Sequence, residues 1–220
     1  MLPKLDLDAA RQVCEVVSGG PLSPGSSMVE VRARGVQAVL VVRLNTNEVE
    51  RRQREGADAV LDMAVLDGLM QLPVGSPVPS MTLTSKERRL LRGCPADALE
   101  QTDGQLVRRL VRPLEVDLAV VRVSRLTAGG LSRAGRFGPY TQSVVWLDGP
   151  AEGAELVVME AGMYGLGVVH APADEAPFVC VAPRPASRFV PTSAGWLFAE
   201  QVYAELQDAE GFNRVLLPTS

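Results

Sequence analysis

The sequence predicts an α+β fold: a mainly antiparallel sheet formed by the second half, covered by a C-terminal helix, with a helix-rich N-terminal portion. Two observations carry this. Between Leu114 and Ala182 run five segments rich in Val, Leu and aromatics (LEVDLAVVRVSRL, QSVVWL, AELVVME, GLGVVHA and PFVCVA) with Gly- and Pro-bearing turns between them, the pattern of short sheet strands. On either side of that region, apolar residues recur at helical spacing. With 46% hydrophobic and 22% charged residues in a chain of 220, there is enough apolar material for a sizeable core. Because only 5% are aromatic, Val, Leu and Ala must fill it.

The first helix starts at Asp6, whose carboxylate is placed to accept from the free N–H groups of the first turn. Leu7, Ala10, Val13, Cys14 and Val17 share one face, and Gly19-Gly20 ends the helix. Cys14 on that stripe reads as a small buried apolar group. Val29–Arg34 and Val36–Leu44 read as two strands about Gly35, or as one strand bent there, and VQAVLVVRL is apolar enough to be covered on both faces.

From Thr46, NEVERRQRE is polar all round and predicts a solvated or fraying helix. ADAVLDMAVLDGLMQL predicts a buried helix, with Asp58 and Asp62 four apart along its wet edge. Two carboxylates at that spacing suit a divalent metal, but neither a His nor a third acid is placed to complete the site. Residues 73–83 read as a Pro-rich linker or loop, because proline denies regular structure its N–H donors. The segment separates an αβα portion (1–72) from a unit of helices, sheet and C-terminal helix (84–220); a single compact domain fits equally well.

Thr84 and Glu87 match a capping box ahead of KERRLLR, which stops at Gly93. Thr102 or Asp103 is placed to cap a further helix, GQLVRRLVR, ended by Pro113. The strand from Leu114 to Leu126 switches apolar phase near Val121, so it needs a bulge or burial on both faces. AGGLSRAGRFGPY reads as a mobile Gly-rich connection. Strands 142–147 and 154–160 follow, with Asp148-Gly149 turning between them, and then GLGVVHA and FVCVA. Thr192 or Ser193 caps the last helix, whose Trp196, Ala199, Val202, Tyr203 and Leu206 form the face that covers the sheet.

The chemistry is bounded mainly by exclusion. The only lysines are Lys4 and Lys86, so there is no P-loop and no natural Schiff-base lysine. There is no G-x-G-x-x-G and no βαβ alternation in the second half, which argues against a dinucleotide fold. His170 is the sole histidine, which excludes multi-His metal centres; no cofactor and no metal site are expected. Cys14, Cys94 and Cys180 lie far apart and read as reduced thiols. No apolar run has the length of a signal peptide or a membrane span, so the expectation is a cytoplasmic protein with no membrane partner. Arginine in place of lysine suits a GC-rich bacterial genome.

Charge is the one asymmetry. Residues 84–140 carry eleven basic and six acidic side chains, a balance of +5, in a chain of net charge −4. The candidate binding residues are therefore Arg88, Arg89, Arg92, Arg108, Arg109, Arg112, Arg133 and Arg136. They motivate the leading expectation, a non-catalytic adaptor or chaperone-like protein that binds another protein through an Arg-rich surface. No catalytic residue is assigned, and the balance leans away from an enzyme. The alternative is a small-molecule enzyme or sensor that holds an anionic ligand in an Arg-lined pocket at the sheet. Glu160, Tyr164 and His170 would be its polar contacts, with Arg133 and Arg136 in an anion-binding Gly-rich loop. A third reading, a nucleic-acid-binding regulator, comes from two short basic helices, although GCPADALEQTD between them is too long for a helix-turn-helix. Edge strands at Val29–Leu44 or Phe178–Ala182 offer pairing between copies, hence a homodimer.

Two short stretches resemble known families. RRLVRPLEVDLAVVRV (108–123) is similar to a segment of the actinobacterial type VII secretion chaperones, α+β proteins that bind secreted partner proteins. TDGQLVRRLVR (102–112) resembles the opening of the chorismate lyase family, whose antiparallel sheet encloses a small anionic ligand; that resemblance implies Glu160 and an Arg as ligand contacts. Overlapping stretches fit two families, and neither family is assigned.

Overall fold

The computed structural model describes residues 6–173, 175–185 and 191–208. In chain order the elements are α1 (Leu7–Ser18), β1 (Ser26–Ala33), β2 (Val36–Leu44), α2 (Thr46–Glu55), α3 (Met63–Met70), β3 (Pro77–Pro79), α4 (Ser85–Leu90), β4 (Leu99–Thr102) and β5 (Gln105–Arg108). There follow β6 (Leu114–Val123), α5 (Ala128–Gly135), β7 (Gln142–Leu147), α6 (Glu155–Tyr164), β8 (Gly167–His170), β9 (Phe178–Val181) and α7 (Ser193–Asp208). The class is α+β. The described residues fall into two compact units, one of 6–43, 116–185 and 205–208, the other of 44–115 and 191–204.

The first unit holds a six-stranded sheet in the order β1-β2-β6-β7-β8-β9. It is mixed, which corrects the expectation of a mainly antiparallel sheet. β1 and β2 form an antiparallel hairpin about Arg34-Gly35, and β8–β9 is antiparallel, but β6–β7 and β7–β8 are parallel. Parallel neighbours cannot be joined by a tight turn; the chain must cross back over the sheet, usually as a helix. This overturns three readings together. The Gly-rich 128–135 stretch is a helix, begun by Thr127, whose Oγ1 accepts from Gly130 N–H at 3.1 Å. Residues 155–164 are a helix, not a strand. The second half therefore does contain a β-α-β-α-β alternation, without the glycine fingerprint of a dinucleotide fold.

Asp6 caps α1 through Asp8 N–H at 3.0 Å, and Gly19 ends it in the left-handed conformation. Ala10, Val13 and Cys14 pack into one cluster with Met28, Val39 and Val41 of the hairpin and Leu118, Val120, Val144, Trp146 and Val169 of the parallel strands. Full burial of each larger side chain there stabilises by about 1.5–3 kcal/mol. On β6, Leu118 to Val121 are all buried, so successive residues of opposite direction are both covered. Burial on both faces, not a bulge, accounts for the switch of apolar phase.

The second unit has a three-stranded antiparallel sheet in the order β3-β5-β4. Residues 73–83 thus contribute a strand, paired as Val78↔Leu106. The expected helix 104–112 is instead the β4–β5 hairpin, turned by Asp103 and Gly104 with φ of 51° and 75°. Two central residues at positive φ make the tight turn whose twist matches that of its strands. Residues 57–62 are not helical: α3 starts only at Met63, and Asp62 is its cap, accepting from Ala64 N–H at 2.8 Å. Asp58 and Asp62 therefore share no helix face. The capping box of Thr84 and Glu87 is present as expected. Thr192 begins α7, its Oγ1 accepting from Gly195 N–H at 3.0 Å. Trp196 joins Leu66, Leu69, Leu72, Leu106 and Leu110 in this unit's core, so its place is with the small sheet and not the large one.

Helix α2 was expected to be solvated, yet Glu48 and Arg52 on it are buried. The reason lies in their partners, all within this unit. Arg52 donates to Glu48 at 2.7 Å, to Glu200 at 2.7 and 2.8 Å and to the Val111 carbonyl at 3.1 Å. Glu200 also accepts from Val60 N–H and from Trp196 Nε1. Among the described residues no helix is long and apolar enough to cross a membrane.

Candidate functional site

The eight candidate arginines do not form one set. Arg88, Arg89 and Arg92 are exposed on and just after α4. Arg108 turns inward: it donates to the carbonyls of Leu110, Leu69 and Leu72 at 2.9–3.2 Å and lies 4.5 Å over the Trp196 ring. Burial pushes its pKa down. Arg109 pairs with Glu100 at 3.1 Å. Arg112 is half-buried; desolvation lowers its pKa against the opposing pull of Glu115 and Glu200. Arg133 and Arg136 belong to the first unit, where Arg136 donates to the Arg34 carbonyl at 3.1 Å. Because residues 105–108 are a strand, the pair of basic helices behind the nucleic-acid reading is not formed.

His170 ends β8. Its Nε2 lies 2.9 Å from the Gly149 carbonyl, and its ring stands edge-on to Phe178, its register partner on β9. A Cβ at Gly149 would run into the Ser124 carbonyl, so the loop that meets His170 is tightly held. These contacts give His170 a place in the sheet rim, and it does not line the pocket described next.

That pocket lies in the first unit and has a volume of about 770 Å³, within the range of small-molecule sites. Three elements build it. Helix α5 supplies Leu131 and Ser132. The segment entering β7 supplies Thr141, Gln142 and Ser143. The C-terminal half of α6 supplies Glu160 and Tyr164, which share a face because they are four apart. Arg184 closes one side. It sits between Pro183 and Pro185, and its N–H donates to the Gly165 carbonyl at 3.0 Å. Gly165 ends α6 at φ +72°, and a Cβ there would stand 3.0 Å from Arg184 Nε. Only glycine both caps the helix and leaves the guanidinium its place.

The pocket's polar groups are not all used by the fold. Ser143 Oγ donates to the Ala134 carbonyl at 2.7 Å. Thr141, only 2% exposed, has an Oγ1 with no hydrogen-bond partner among the described residues. A buried hydroxyl without a partner costs about 1–3 kcal/mol, and this oxygen has almost no surface open to the pocket. Glu160 and Tyr164 were named from sequence; Thr141 and Arg184 were not. For Arg184 the flanking prolines are a signal of a stiff extended segment, whereas a threonine just before a strand carries none.

The outer face of α6 is a second feature. Leu156, Met159 and Met163 are 74%, 62% and 78% exposed at spacings of three and four, an apolar stripe facing away from the fold. Beside these features, no group of three or more metal-ligating side chains occurs among the described residues. Compared with known proteins, the chain matches no family model, no curated protein and no solved structure.

Proposed function

We propose that this protein binds a small polar molecule in the pocket between α5, α6 and the start of β7. The observation that carries the reading is a cavity of about 770 Å³ whose lining holds Glu160 and Arg184, opposite charges without an ion-pair partner among the described residues. Carboxylate, guanidinium, phenol and amide groups converge on the same space from Glu160, Arg184, Tyr164 and Gln142. An apolar cavity with a few convergent polar groups is the usual form of such a site. Among the described residues the pocket's lining holds one arginine, Arg184. His170 lies outside its lining, so no imidazole base is at hand; the reading is a binding or sensing role.

The test is a thermal-shift screen of the whole chain against a metabolite library, with Ser132→Trp as a pocket-filling control. Ligands that raise the melting temperature of the wild type and leave the Ser132→Trp variant unmoved support the reading. An empty screen, or shifts that persist in the filled variant, would overturn it.

Protein binding is the second reading, favoured by the exposed Leu156, Met159 and Met163 stripe on α6. On the second unit, the exposed Arg88, Arg89 and Arg92 on and just after α4 offer a basic surface to an acidic partner. Sedimentation of the wild type against Met159→Glu/Met163→Glu tests self-association through α6.

A further inference from the structure

Resting on the reading of this pocket as a ligand site, we propose that its ligand carries both an ammonium and a carboxylate on an apolar body, as an amino acid or short peptide does. Among the described residues, the lining has two charged side chains of opposite sign, Glu160 on α6 and Arg184 beyond β9. Neither makes an ion pair with another described residue, so neither charge is consumed by the fold. A site for a simple anion gathers donors alone; a carboxylate in the wall would repel its ligand.

Position sorts the two charges. Glu160 stands in the C-terminal half of α6 and offers its carboxylate to a cation. Arg184 is fixed to the same end by its N–H bond to Gly165, with its guanidinium over the space that a Gly165 side chain would fill. Its planar fork suits a carboxylate, with two parallel N–H···O bonds. Ammonium at Glu160 and carboxylate at Arg184 therefore lie around one helix end, a head-group site.

The rest of the lining suits a body attached to that head. Leu131 and Leu166 are buried and apolar, and the Tyr164 ring is exposed beside them. The 770 Å³ volume is far larger than an inorganic ion requires and admits a large side chain or a second residue.

The experiment is calorimetric titration of the whole chain with the twenty amino acids and a set of apolar dipeptides. The best binder is then compared with its single-charge analogues; for phenylalanine these are 2-phenylethylamine and 3-phenylpropanoate. The expected result is that the zwitterion binds about tenfold or more tightly than either analogue. Glu160→Gln should erase the advantage over the acid, and Arg184→Gln the advantage over the amine, both with the free protein's melting temperature unchanged. Equal affinity for a zwitterion and its single-charge analogue overturns the inference, as does no zwitterion binding tighter than about 1 mM. If only a compound of one charge sign binds, and fails to bind Ser132→Trp, the ligand-site reading stands and the zwitterion inference falls. If nothing binds, both fall.

Discussion

Arg52 Nη1 lies 2.7 Å from Glu200 Oε2, across 148 positions of sequence, with both side chains fully buried. Glu48 completes a buried triad, and the Tyr203 ring lies 4.9 Å from the guanidinium carbon. Burial by itself would favour the discharged Arg52; its hydrogen bonds and charge pairing with Glu200 and Glu48 outweigh this and raise its pKa. Removing one member leaves an uncompensated buried charge, which is strongly destabilising, whereas replacing the whole set by apolar groups need not be.

Arg52→Met should therefore cost about 3–5 kcal/mol, read by urea unfolding followed through tryptophan fluorescence. Trp196 is a suitable reporter because its Nε1 donates to Glu200 at 2.9 Å. The triple variant Glu48→Leu/Arg52→Met/Glu200→Leu should recover part of that loss. A single variant as stable as the wild type would show that the network is not closed in solution.

Thr141→Val should raise stability and leave binding unchanged. The substitution is nearly isosteric and removes a buried hydroxyl that has no partner among the described residues. Relief of that desolvation should stabilise the free protein by about 1 kcal/mol or more. Because that oxygen has almost no surface open to the pocket, the same variant should bind the best compound of the library screen as tightly as the wild type. Differential scanning calorimetry of both proteins, with and without that compound, measures the two effects together.

How much of this was written in the sequence differs from feature to feature, for physical reasons. Local signals were legible: the Asp6 cap, the end of α1 at Gly19 and the Thr84–Glu87 capping box each depend on a few neighbouring residues. Signals set by pairing at a distance were not. NEVERRQRE looks solvated until Glu200 is brought to Arg52. AELVVMEAGMY is mostly apolar, with only Glu155 and Glu160 charged, so its period does not separate strand from helix; the parallel β7–β8 register decides. Asp103-Gly104 is a hairpin signal, but the flanking Leu106, Val107, Leu110 and Val111 also fit helical spacing, and the two signals compete. Glu160 and Tyr164 were within reach because they carry chemistry, whereas Thr141 matters only through its burial beside the cavity.

Two glycines should respond oppositely to alanine. Gly104 sits at φ +75° with nothing within 4 Å of an added Cβ, so Gly104→Ala tests conformation alone and should cost about 1–2 kcal/mol. The loss should appear at the β4–β5 hairpin, as faster amide exchange at Leu106, which is paired with Gln101. Gly129 lies in α5 with ordinary backbone angles, and an added Cβ would meet only Thr127 Oγ1, at 3.7 Å. Gly129→Ala should stabilise by about 0.5–1 kcal/mol through helix propensity. Equal effects at the two sites would mean that the turn geometry at Gly104 is not maintained.

Alkaline pH should expose the state of Cys14. The thiol is buried in the α1 cluster, and desolvation, aided by Glu15, pushes its pKa from 9.0 up to about 12. Above pH 9 the unfolded chain therefore loses this proton before the folded one does. The thiol's contribution is fully present below pH 9 and is lost as pH rises toward 12, with a slope of up to about 1.4 kcal/mol per pH unit for one group. Cys14→Ala should be less stable at neutral pH because of the cavity it leaves, yet show a shallower decline above pH 9. Parallel unfolding curves at pH 7, 9 and 10.5 separate the two effects. Thiol labelling at pH 8 gives an independent check: exposed Cys180 should react in the native state, and Cys14 only on unfolding. Rapid native labelling of Cys14 would place it at a solvent-accessible position and remove the basis of the pH prediction.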